Sequence, residues 1–131
     1  MNRFIFTLLA CAFVLSATTG CATLADARAA KGTRMAKTFN ADSETVWKTL
    51  PGVAASIGLS VVGENKAEGY MLAQRGITLV SYGENVAIFV EPFGRGQTRV
   101  EVVSKRAMAT NIFAPDWAPE LLQKLETALN R

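Results

Sequence analysis

Glu84, Glu91 and Glu101 among the 11 acidic residues, Ser43, Ser60, Ser81 and Ser104 among the serines, and the two cysteines, Cys11 and Cys21, are candidates whose types suit acid–base, nucleophilic or thiol chemistry. Each needs a partner that the chain does not supply. There is no histidine, so the commonest general base and the commonest metal ligand are missing. None of the serines lies in the strained Gly-x-Ser-x-Gly turn that exposes a hydrolase nucleophile. Gly94-Arg95-Gly96 is followed by a strand pattern instead of a helix start, so it reads as a hairpin turn and not as a phosphate loop. Glu84, Glu91 and Glu101 read as solvated charges of strands and turns. Trp47 and Trp117 fall on apolar helix stripes and read as core anchors. Lys105-Arg106 reads as a solvated loop, since two cations near an anionic surface add only about 1 kcal/mol each. No catalytic, cofactor-binding or metal-binding set emerges, and an enzyme is not expected.

Charge excludes a further class. The 131 residues carry 14 basic and 11 acidic side chains, a formal +3. Without Arg3 the balance falls to 13 against 11, or +2, and no predicted element gathers the basic residues; nucleic acid is not an expected partner. The length suits one domain after removal of a leader.

The leader is the clearest segment. Arg3 supplies a positive start, residues 4–15 are apolar apart from Thr7, and residues 16–20 are small. This is signal-peptide anatomy, with an apolar core shorter than the ~20 residues of a spanning helix. Thr18-Thr19-Gly20-Cys21 resembles the lipobox of bacterial lipoproteins, with Thr18 where leucine is commoner. The resemblance implies cleavage after Gly20, a thioether-linked diacylglycerol on Cys21 and a further acyl chain on its amino group. Cys11 leaves with the leader, so the mature chain holds one cysteine and no intramolecular disulfide. Two alternatives are cleavage after Ala25-Asp26-Ala27, which has the small-x-small pattern, and a retained anchor helix. Ala22, where an Asp would signal inner-membrane retention, implies the periplasmic face of the outer membrane in a didermal source. The expected division is therefore a signal peptide over 1–20, a lipidated N-terminus and tether over 21–32, and a single domain over 33–131.

The domain must be built from the following elements. A first strand is expected over 33–39, then a helix capped by Asn40 or Asp42, with Val46, Trp47, Leu50, Val53, Ala54 and Ile57 at helical spacing and Gly58 as terminator. Pro51-Gly52 inside it predicts a kink or two short pieces. Strands are expected from Leu59 to Gly63 and over 69–74, with 77–82 either continuing the latter or forming a separate piece. Gly83-Glu84-Asn85 reads as a turn. Val86, Ile88 and Val90, then Thr98, Val100 and Val102, alternate on either side of a Gly-rich loop and predict an antiparallel hairpin, with Val100 buried and Arg99 and Glu101 in water. Asp116 caps a final amphipathic helix with the stripe Trp117, Leu121, Leu122, Leu125, Ala128 and Leu129. The alanine-rich stretch after Cys21 reads as a tether, with a short helix as its only structured option. The fold class is α+β: a two-layer domain, an antiparallel sheet of about five strands with two helices on one face, in the order β-α-β-β-β-β-α.

Val46-Trp47 through Ile57-Gly58-Leu59, Ser81-Tyr82-Gly83-Glu84 before the strand at 86–90, Thr98-Arg99-Val100-Glu101-Val102, and Asn111-Ile112 leading to Asp116-Trp117 together resemble a group of small, largely uncharacterised bacterial lipoproteins of the outer membrane, over about residues 33–130. The layout is also similar to the helix-grip domains of the lipoprotein C subunit of the β-barrel assembly machinery. Two functions follow as expectations: a non-catalytic interaction or accessory module of the cell envelope with a protein partner, or a binder of a small apolar ligand between sheet and helices. Met108, Ile112 and Phe113, apolar residues in a stretch without period, either tuck under the sheet as core or form the rim of a partner surface beside the terminal helix.

Overall fold

A computed structural model describes residues 23–29, 35–76, 83–106 and 115–131. Its elements are α1 (Leu24–Ala29), β1 (Met35–Phe39), α2 (Ser43–Ser56), β2 (Ser60–Asn65), β3 (Tyr70–Arg75), β4 (Glu84–Pro92), β5 (Thr98–Arg106) and α3 (Trp117–Leu129). The five strands form one sheet in the order β1-β5-β4-β3-β2, antiparallel throughout. The fold is α+β with α2 and α3 layered on one face.

Asp42 starts α2: its carboxylate accepts from the Thr45 N–H at 2.9 Å and from the Thr45 hydroxyl at 2.9 Å. These two bonds hold the Asp42 carboxyl below its ordinary value. The helix runs as one element through Pro51, so of the two expectations there the split into two short pieces is not found. Val46, Trp47 and Leu50 before the proline and Val53 and Ala54 after it are all buried, while the proline itself faces out. Packing on both sides holds the turn in register against the lost backbone bond. Gly58, at φ +83, ends the helix as expected. Asp116 caps α3 by accepting from the Ala118 N–H at 3.0 Å.

Alternation places Val86, Ile88, Val90, Val100, Val102, Met71 and Ala73 on the helix-facing side, where they join Phe39, Leu50, Trp47, Leu121, Leu125 and Trp117 in one core. Loops are tied down by side chains. The Thr98 hydroxyl donates to the Ala41 carbonyl at 2.8 Å and Gln97 Nε2 to Asn40 Oδ1 at 2.7 Å, joining the β1–α2 corner to the β4–β5 hairpin. Lys37 pairs with Glu126 at 2.7 Å and links β1 to α3. Gly69, at φ +74, leads into β3 so close to β4 that an added Cβ would lie 2.8 Å from the Val90 carbonyl oxygen.

Several expectations need correction. Glu84 and Asn85 do not form a turn: they open β4 and are buried. Lys105 and Arg106 belong to β5 instead of a loop. β2 extends to Asn65, with its register shifting between Val61 and Gly63. The largest correction concerns Glu101, expected in water and found 2% exposed. Residues 84–90 of β4 are all buried, so the sheet is covered in the middle of both faces. Whether 77–82 continue β3 lies outside the described residues.

Candidate functional site

The second face of the sheet is covered by α1, formed in the stretch read as a tether. Thr23 and Asp26 make its N-terminal lock. The Thr23 N–H and hydroxyl donate to Asp26 Oδ2 at 2.6 and 2.9 Å, and the Asp26 N–H returns to the Thr23 hydroxyl at 3.3 Å. These bonds hold the Asp26 carboxyl below its ordinary value, with the charge of Lys105 on β5 adding to them. Ala27 points down and is fully buried against Ala87, Phe89 and Val103, with Tyr70 and Leu72 at the margin. On the other flank the Arg28 guanidinium lies 4.3 Å from the Tyr70 ring centroid and pairs with Glu68 in the β2–β3 turn. A six-residue helix is marginal alone; here a small buried residue, a lock at its start and a cation at its end fix it to the sheet.

Beside α1 on the same face lies a charged group. Arg99 Nη1 is 3.6 Å from the Glu101 carboxylate and 3.8 Å from that of Glu91. Arg99 and Glu91 are half-exposed, whereas Glu101 is covered. At the end of the sheet where β3 and β5 finish and β4 begins, Arg75, Glu84 and Arg106 stand in one register row. Arg75 stacks 4.9 Å over the Trp117 ring, and the buried Trp117 Nε1 has no hydrogen-bond partner among the described residues.

On the helix layer an open groove of about 570 Å³ runs between α2 and α3, bounded by Thr49, Gly52, Val53 and Ser56 on one side and Gln123, Lys124, Thr127 and Ala128 on the other. Its hydroxyls are turned inward. Thr49, Ser56 and Thr127 donate to the carbonyls of Thr45, Val53 and Gln123 in their own helices. The groove therefore offers shape and two cations, Lys124 and Arg131, instead of a ring of free donors. The space between sheet and helices, where the ligand-binding alternative would place its guest, is occupied by fully buried Leu50, Ile88, Val100, Val102, Leu121 and Leu125.

Cys21, Met108, Ile112 and Phe113, the residues singled out from the sequence, lie outside the described residues. Of the carboxylates considered, Glu91 and Glu101 meet at Arg99, and Glu84 is apart from them at the end of the sheet. Among the described residues no three of His, Cys, Asp or Glu are grouped so as to hold a metal ion, and no helix is long and apolar enough to cross a membrane. The residues that sequence reasoning missed are Ala27, Arg28 and Tyr70. The signal for them was available: Thr23-x-x-Asp26 is a capping-box pattern directly before an alanine-rich run. No protein-family model matches the chain, and no curated protein matches it.

Proposed function

We propose that this chain is a bacterial lipoprotein, anchored through lipid on Cys21, that serves as a non-catalytic interaction or accessory module of the cell envelope. In a didermal cell its place is the periplasmic face of the outer membrane, and its partner is an envelope protein. The observation that carries the reading is Thr18-Thr19-Gly20-Cys21 behind an apolar run, joined to the position of α1. Cleavage after Ala27 would cut that helix in the middle and remove the residue buried on the sheet. Cleavage before Cys21 leaves the helix whole and starts the mature chain two residues before Thr23. Thioether and amide acylation at one residue supplies the two or more chains that stable anchoring takes.

The test is metabolic labelling with palmitate. Label enters the wild-type chain and is absent from Cys21→Ser, which also leaves the membrane fraction. Equal labelling of both proteins overturns the reading.

A further inference from the structure

We infer that the anchor seats the domain on the bilayer in one orientation, with the sheet end formed by Arg75, Glu84 and Arg106 toward the lipid and the β4–β5 hairpin loop pointing away. The inference rests on the lipidation of Cys21 proposed above and adds to it what the structure shows of α1.

The direction of α1 follows from its two flanks. Ala27 lies over Ala87, Phe89 and Val103 in the middle of the sheet, and the charge of Lys105, one register row from the end of the sheet, acts on Asp26 just before it. Arg28, near its finish, reaches Tyr70 and Glu68, at the opposite end of β3. The helix therefore enters from the Arg75–Glu84–Arg106 end and runs toward the hairpin end. Only Cys21 and Ala22 precede Thr23, and two residues span at most ~7 Å of extended chain. A lipidated Cys21 lies within that distance of a helix start that is itself fixed to the sheet. The nine residues of β4 carry the hairpin loop about 27 Å further away, at roughly 3.4 Å per residue.

Lys105 follows the α1-facing alternation of Val103, whereas Arg75, over the Trp117 ring, and Arg106 follow the α3-facing alternation of Met71, Ala73, Val100 and Val102. Asp116 and Glu120 at the start of α3 and the exposed Asp26 of α1 are the acids at that same end, and Glu84 is buried. Charges of both signs therefore stand at that end, and the short link from Cys21 to α1, not a cationic patch, sets the pose. The groove between α2 and α3 is left open to the aqueous side.

The mature chain has no cysteine besides the acylated one, so a single introduced thiol is uniquely labelled. Gly76, exposed, with open space for a side chain and directly after β3, marks the near end; Arg95 in the hairpin loop marks the far end. The full-length lipidated protein, as Gly76→Cys or Arg95→Cys, is labelled with a fluorophore. It is reconstituted in phosphatidylethanolamine–phosphatidylglycerol vesicles bearing a headgroup quencher. Quenching is several-fold stronger at position 76 than at 95. Adding Ala27→Asp, which forces a carboxylate under α1, releases the helix and makes the two positions alike. Equal quenching at the two positions with Ala27 unchanged, or stronger quenching at 95, overturns the orientation while flotation with the vesicles upholds the anchor. Failure to float overturns the anchor and the orientation with it.

Discussion

Val100→Asp unfolds most of the protein at ambient temperature. Val100 is fully buried on the helix-facing side of β5, in register between Lys37 of β1 and Val90 of β4. The substitution forfeits the burial of a valine side chain, about 1.5–3 kcal/mol. It also buries a carboxylate whose nearest cation, Lys37 opposite it on β1, is already paired with Glu126 at 2.7 Å, at a further cost of several kcal/mol. The sum reaches much of the ~5–15 kcal/mol that holds a domain of this size together. A melting temperature lowered by 20 °C or more is expected, at roughly 4–8 °C per kcal/mol. A shift of a few degrees would show that the strand presents its other face to the core.

Glu101→Lys is the second large effect, and alternation alone would rank it as harmless. Glu101 is the residue after Val100 and points to the opposite face, which would be water in a plain two-layer sheet. Its carboxylate is instead covered and sits 3.6 Å from Arg99. Lysine at this position puts a second cation against Arg99 and removes the acid that Arg99 shares with Glu91. Because Arg99 and Glu91 are half in solvent, the loss is less than the ~3–5 kcal/mol of a fully buried pair broken on one side, and about 2–4 kcal/mol is expected. Glu101→Leu removes the charge without adding another and loses far less. Thermal melts of the two variants decide the matter: equal stability of Glu101→Lys and wild type would mean that the carboxylate is solvated.

The layered fold was legible where a pattern and a stop signal coincided. Asp42 before the Val46-Trp47-Leu50 stripe, Gly58 after it, and Asp116 before Trp117-Leu121-Leu125 place both large helices. Strict alternation from Val86 to Val90 and from Thr98 to Val102 places the hairpin. What escaped has one physical cause. Alternation reports that one face is buried but is silent on whether a separate element lands on the other. Ala87, Phe89 and Val103 looked like the outward half of an ordinary sheet, yet they are the bed of α1. An alanine-rich segment carries so weak an apolar signal that its docking depends on what it meets, not on its own composition. Glu101 followed the same error, and Glu84-Asn85 a related one: polar residues after Gly83 resemble a turn, but they are the paired and covered start of the central strand. The reading of Cys21 rests on the sequence alone, on small residues behind an apolar run, and Cys21 lies outside the described residues.

The whole account turns on where the mature chain begins. Intact-mass and N-terminal fragment spectra of the protein extracted in detergent from its own membranes read this directly. The predicted result is a chain that starts at Cys21, with the mass of a diacylglycerol and an amide-linked acyl chain confined to that residue. A mature chain that starts at Arg28 and carries no lipid, or one that keeps Met1 and the apolar run, contradicts it.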